Sequence, residues 1–145
     1  MGASVFLWRY ATGVRNYPGY HLTADATGCG ELGGGLDKLL ESSSQRRFGI
    51  ALSPPTLSVL AVPNNKNHKA LSKPAASFNL LNDVSNLLEI SETDVEIMIS
   101  ASTDIAKQIR IGIEDVRAGH GDYSVVGRSS TKRAEHLWFW WLPVG

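Results

Sequence analysis

The chain has 145 residues, 43% of them apolar, and its 14 basic and 14 acidic side chains leave no formal net charge. That length fits one domain with a self-sufficient core, and the charge balance gives no long-range field to draw the chain onto a polyanion. The single cysteine, Cys29, excludes an internal disulfide, and no apolar run approaches the roughly 20 residues that span a bilayer.

The elements can be read in chain order. Met1 to Tyr10 lacks the basic start of a secretion signal, which makes a cytoplasmic protein without membrane association the expectation. Ala3 to Tyr10, with Val5, Phe6, Leu7 and Trp8 at its centre, reads as a buried strand. Pro18-Gly19 marks a turn, and Tyr20 to Ala26 alternates as a short strand or an extended lead-in. Thr27 to Gly35 reads as a glycine-rich loop. Leu36, Leu39 and Leu40 then predict a helix to about Ser42.

Phe48, Ile50 and Leu52 recur at period two and predict a strand over Arg47 to Leu52. Ser53-Pro54-Pro55 breaks it. Leu57, Val59 and Ala61 predict a second strand over Thr56 to Val62. Pro63 to Pro74 reads as a polar loop. Phe78, Leu81, Val84 (or Ser85) and Leu88 predict a helix from about Ala75 to Glu89. Val95, Ile97 and Ile99 predict a strand over Asp94 to Ser100. Ser102-Thr103-Asp104 carries the side chains of a helix start. Ile105, Ile109, Ile113 and Val116 then form the clearest amphipathic stripe in the chain. Gly119-His120-Gly121-Asp122 turns the chain into a strand over Tyr123 to Gly127. A polar loop over Arg128 to Ala134 leads to a last strand, His136 to Leu142.

Together these elements predict a single α+β domain over residues 1–145. It has a mixed or mainly antiparallel sheet of about five to six strands with two to three helices packed on it.

Three groups of residues carry possible chemistry. Cys29 lies between glycines before a predicted helix, where thiolates are favoured. His21 and Asp25 precede it at intervals of four, supplying the parts of a cysteine nucleophile system or, alternatively, three ligands for a zinc ion. The bland alternative is a small buried apolar cysteine. His120 and Asp122 form a second pair, in which a carboxylate two residues away orients a general base. The alternative is a helix C-terminus with a favourably placed histidine and a turn-forming aspartate. The third group is Leu137-Trp138-Phe139-Trp140-Trp141-Leu142. Here Trp138, Trp140 and Trp141 either pack a central strand or form an aromatic contact surface, with Arg128, Lys132 and Arg133 nearby.

Gly28-Cys29-Gly30-Glu31-Leu32-Gly33 spells G-x-G-x-x-G. No strongly apolar strand precedes it, and the strand ending at Leu52 carries no acid for a ribose, so no nucleotide is expected there. His68 and His136 complete the histidines without metal-ligand spacing. No metal and no cofactor is expected.

Charge is segregated. Arg46, Arg47, Lys66, Lys69 and Lys73 form a basic block, and Asp83, Glu89, Glu92, Asp94, Glu96 and Asp104 an acidic one. Such blocks either complement a charged partner or face each other.

The functional expectation is a non-enzymatic interaction domain for a protein partner, like the immunity or adaptor proteins of bacteria in type. Self-association is left open. The alternative is a small enzyme or ligand-binding domain with a polar pocket around Cys29 and His120. Nucleic-acid binding through the basic loops comes third and is disfavoured by the balanced charge.

Overall fold

The computed structural model describes residues 3–11, 17–42, 47–63, 69–121, 123–130 and 134–143. These form an α+β domain. In chain order the elements are β1 (Val5–Tyr10), β2 (Tyr20–Ala24), α1 (Ala26–Glu41), β3 (Arg47–Ala51), α2 (Leu57–Ala61) and β4 (Ala70–Ser72). They continue with β5 (Ala75–Leu81), β6 (Leu88–Glu92), β7 (Glu96–Ser102), α3 (Thr103–Arg117), β8 (Tyr123–Gly127) and β9 (Glu135–Phe139).

The strands make two mixed sheets, ordered β4-β1-β2-β9-β8 and β3-β5-β7-β6. The pairs β2–β9 and β5–β7 are parallel. The others are antiparallel. The sheets touch at both ends. Leu87 bridges to Arg128, and the Ser53 N–H donates to the Val5 carbonyl at 2.8 Å.

The main core lies between the two sheets and α1 with α3. Leu32, Leu36 and Leu39 of α1 meet Ile105, Ile109, Ile113 and Val116 of α3, as the four-four-three spacing requires. Leu7, Leu22, Leu137 and Phe139 face them from the five-stranded sheet, and Phe78, Ile97 and Ile99 from the other. A second cluster covers part of the opposite face of the five-stranded sheet. There Phe6, Trp8, Tyr10 and Trp140 pack with Val59 and Leu60 of α2.

Four predicted segments differ from the structure. The predicted helix over Ala75 to Glu89 is the strand β5, a turn, and the start of β6. Ala76, Phe78 and Leu80 are the buried alternation in β5, and Ser77 is buried on its other side, which hides the period of two. Asp83 and Asn86 adopt left-handed backbone (φ 64° and 55°) and bend the chain between the strands. The predicted strand over Thr56 to Val62 is the short helix α2. The Thr56 hydroxyl accepts the Val59 N–H at 3.2 Å and caps it, and adjacent Val59 and Leu60 are its buried side.

The helix predicted from Leu36 begins ten residues earlier, at Ala26. Asp25 caps it by accepting the Gly28 N–H at 2.7 Å. Gly28, Gly33 and Gly35 are packing sites. A Cβ on Gly28 would stand 2.5 Å from the Ser4 carbonyl oxygen, and one on Gly35 would enter the Phe48 ring. The polar loop over Pro63 to Pro74 also contains the short strand β4.

Candidate functional site

The residues of the proposed cysteine system are separated by the sheet that carries them. In β2, Tyr20, Leu22 and Ala24 face the main core, so His21 and Thr23 point to the other side. Cys29 lies in the main core and is 1% exposed. Burial, with a contribution from the Asp25 charge, pushes its thiol up to about 11. Its Sγ lies 3.7 Å from the Ala24 carbonyl. The Asp25 carboxylate is held by backbone donors rather than by His21. It accepts the N–H groups of Ser4 (3.1 Å to each oxygen) and Gly28, so it ties the start of β1 to the start of α1. A cavity of about 260 Å³ opens beside Asp25, between Phe6 and α2, with Ser4 and Ser58 on its wall. Neither His21 nor Cys29 lines it.

His120 lies just beyond α3, exposed, with Nδ1 3.4 Å from an Asp115 carboxylate oxygen. Asp122, Lys132, Arg133, His68, Arg46 and Lys66 lie outside the described residues. Among the described residues no group of His, Cys, Asp or Glu side chains is arranged to hold a metal ion.

His21 is instead the centre of the aromatic cluster. It is fully buried. Its ring stacks with Trp8 (centroids 5.4 Å apart) and with Trp140 (6.1 Å), and Tyr10 meets it edge-on at 5.1 Å. The Trp140 indole N–H donates to His21 Nδ1 at 2.9 Å. This bond requires the neutral ring with its proton on Nε2. Burial pulls the imidazole down to about 4, with the Tyr17 backbone opposing that shift.

The strand register extends this cluster across the sheet. Trp8 pairs with His21, His21 with Trp138, and Trp138 with Ser124. At the β1 side the row is buried under Val59 and Leu60. Toward β8 it opens to solvent. Trp138 and His136 are half-buried and stack at 5.9 Å, and Val126, register partner of His136, is 42% exposed. The Tyr17–Pro18 turn braces the Trp138 indole. The Pro18 carbonyl accepts its N–H at 2.8 Å, and Tyr17, with left-handed backbone (φ 58°), meets Trp138 and Trp140 edge-on.

The aromatic run is thus divided. Phe139 and Trp140 are core, Trp138 sits at the margin of the open half-face, and Trp141 is 40% exposed where the chain passes Gly121. Arg128 is exposed at the end of β8 and donates to the Ser85 carbonyl at 2.6 Å.

The charge blocks partly meet each other. Arg47 pairs with Glu96 at 2.9 Å. Glu92 takes Arg9 and the Tyr20 hydroxyl, and Lys73 adds to the positive field around it.

No family model, curated protein or solved structure matches the chain. The surface must therefore be read from its own chemistry. Sequence reasoning missed Val126, His136 and Ser124 as parts of it. The signal was there in the alternation of Tyr123 to Gly127, which puts Ser124 and Val126 on one uncharged face.

Proposed function

We propose that this domain is a protein-interaction module, immunity- or adaptor-like in type, whose contact surface is the open half-face formed by Val126, His136 and Trp138. One observation carries the reading. The row of large side chains across this face is covered at the β1 side by α2 and uncovered at the β8 side, where a stacked His–Trp pair lies beside an exposed valine. A rigid aromatic anchor held by neighbours binds with little loss of conformational freedom, and such residues dominate interface energies. The charge blocks give less support, because Arg47 and Glu96 neutralise each other within the domain. A reducing, cytoplasmic, bacterial-type setting suits a chain whose one cysteine is a buried free thiol.

The test starts from the protein that the wild-type chain retains from its host. That partner is purified, and its affinity for Trp138→Ala and His136→Ala is measured by calorimetry. Trp138→Ala is expected to weaken binding by about 2 kcal/mol or more, roughly 30-fold, measured at a temperature where circular dichroism shows the variant folded. Equal affinity in both variants would remove this face as the contact surface.

A further inference from the structure

The cover over the β1 side of the aromatic row is slight. α2 is five residues long, and the side chains it buries are Val59 and Leu60, which cluster with Phe6, Trp8 and Tyr10. Its Leu57 is exposed. The chain is fastened just before it, where the Leu52 and Ser53 N–H groups donate to the Pro74 and Val5 carbonyls at 2.8 Å. From Thr56 to Val62 no hydrogen bond among the described residues joins the segment to another element. The Val59 and Leu60 N–H groups go to the Thr56 hydroxyl and carbonyl, inside the turn itself. A single helical turn does not persist without its packing, so α2 exists only while those two side chains are seated.

What lies beneath it does not tolerate charge. Trp8 and Tyr10 of β1, Tyr17 of the turn and Trp140 face the His21 ring. α2 adds Val59 and Leu60 to this cluster, and β4 adds Ala70. None of these is charged at neutral or acid pH. The Asp25 carboxylate, past the end of β2, is taken by the Ser4 and Gly28 N–H groups. An imidazolium would set an Nδ1 donor against the Trp140 N–H, with no acceptor between them. Thr23, next to His21 on the same face of β2, is also fully buried, and its hydroxyl has no partner among the described residues. Water admitted to this face would satisfy both groups, so both favour opening.

We infer that α2 is an acid-opened cover: when His21 takes a second proton, α2 lifts from the sheet in a rising fraction of molecules and bares the aromatic cluster, while the main core stays closed. The sign follows from burial. Closed, the ring is pulled down to about 4, and open it regains the ordinary value of 6.5. The closed form is therefore fully favoured above that window and loses ground as pH falls through it. The bared residues continue the row that Trp138 begins, so opening enlarges the proposed contact face. The opening itself does not depend on what that face binds.

The experiment is native-state hydrogen exchange on the full chain between pH 7 and pH 4. It compares the Val59 and Leu60 amides of α2 with those of Ile97 and Ile99, which β7 places in the main core. At every pH the α2 amides are expected to be the less protected. In low urea only the β7 amides should speed up, since a small opening exposes little surface and global unfolding much. Corrected for intrinsic exchange, α2 protection should fall roughly 100-fold from pH 7 to pH 4. His21→Gln does not titrate and should hold α2 protection constant over that range. His21→Asn serves the same purpose if the glutamine variant fails to fold. Equal protection and equal urea dependence in α2 and β7 overturn the inference, because α2 then leaves only with the whole fold. So does α2 protection that stays constant with pH in the wild type, or that falls as steeply in a folded His21 variant.

Discussion

At the residue scale the most consequential group is His21. Its ring is held neutral between two indoles, with Nδ1 accepting the Trp140 N–H. Tyr10, Trp8, Tyr17 and Trp140 surround it, and no charged side chain contributes to its shift. The unfolded histidine titrates near 6.5 and the folded one near 4. Between those values the unfolded chain binds more protons, so folding stability falls as pH drops through this window and is fully present above it. The loss amounts to about 3 kcal/mol at pH 4. Urea denaturation across this range should show that slope, and His21→Gln, which keeps an acceptor for Trp140 but does not titrate, should flatten it. An unchanged slope in the variant would assign the acid sensitivity elsewhere.

Glu92 acts with the same sign at lower pH. Burial raises its carboxyl, but the hydrogen bonds from Arg9 and Tyr20 outweigh that and leave it below the ordinary range. Its contribution is present above about 4.5 and is lost as pH falls through its lowered value. Cys29 gives a second residue-scale expectation. With the thiol up at about 11 and 1% exposed, alkylation at neutral pH should be far slower than for a free thiol and should track global unfolding. Labelling as fast as a small-molecule thiol would contradict its place in the core.

At the scale of elements, the glycines of the helices make opposite predictions about one substitution. Alanine is favoured over glycine by about 1 kcal/mol inside a helix. Gly34 on α1 is exposed, and a methyl group added there would meet nothing within 4 Å, so Gly34→Ala should stabilise by about that amount. Gly112 on α3 is buried, and a Cβ there would lie 2.8 Å from the Phe139 ring. Phe139 is itself fully buried and cannot swing aside, so Gly112→Ala should destabilise by about 1–3 kcal/mol despite the helical gain. Thermal melts of the pair check the sign, and a stabilised Gly112→Ala would mean that the α3–β9 contact has room for a methyl group.

The same contacts explain which elements were legible in the sequence. α3 and β7 bury one face each, so their apolar residues recur at the helical and strand periods. α1 was half hidden because its N-terminal turns use glycines to approach Ser4, Arg110 and Phe48, and glycines read as a loop. β5 was hidden because it lies between β3 and β7, where Ala76 and Ser77 are both buried and no clean alternation remains. The separation of His21 from Cys29 follows from β2 alone, since a residue before Ala24 at an odd position must face away from the core that Cys29 enters. The aromatic compartment around His21 was not legible. Its partners come from β1 and from the end of the chain, and only the register Trp8–His21–Trp138 brings them together.

At the scale of the molecule, the last strand closes both cores. β9 lies between β2 and β8 in the five-stranded sheet, parallel to β2, although more than a hundred residues separate them in the chain. One side of β9 places Leu137 and Phe139 in the main core, and the other places Trp138 against the aromatic cluster that Trp140 completes. Without it β2 loses its inner neighbour, β8 loses its sheet, and His21 loses Trp140. The remaining strands then have exposed apolar faces and no shared core across the domain. A chain ending at Ala134 should therefore show no cooperative thermal transition, lose near-ultraviolet dichroism and bind a hydrophobic dye, as a collapsed chain without fixed packing does. Removing a single exposed side chain, as in Leu57→Ser at a position 77% exposed, should leave the transition within about 0.5 kcal/mol of wild type. Because the β2–β9 pairing is so distant in sequence, refolding of the full chain should run in the range of milliseconds to seconds that non-local sheets require. A sharp melting transition in the shortened chain would show that the β1–β2 pair and the four-stranded sheet hold the helices without the central strand.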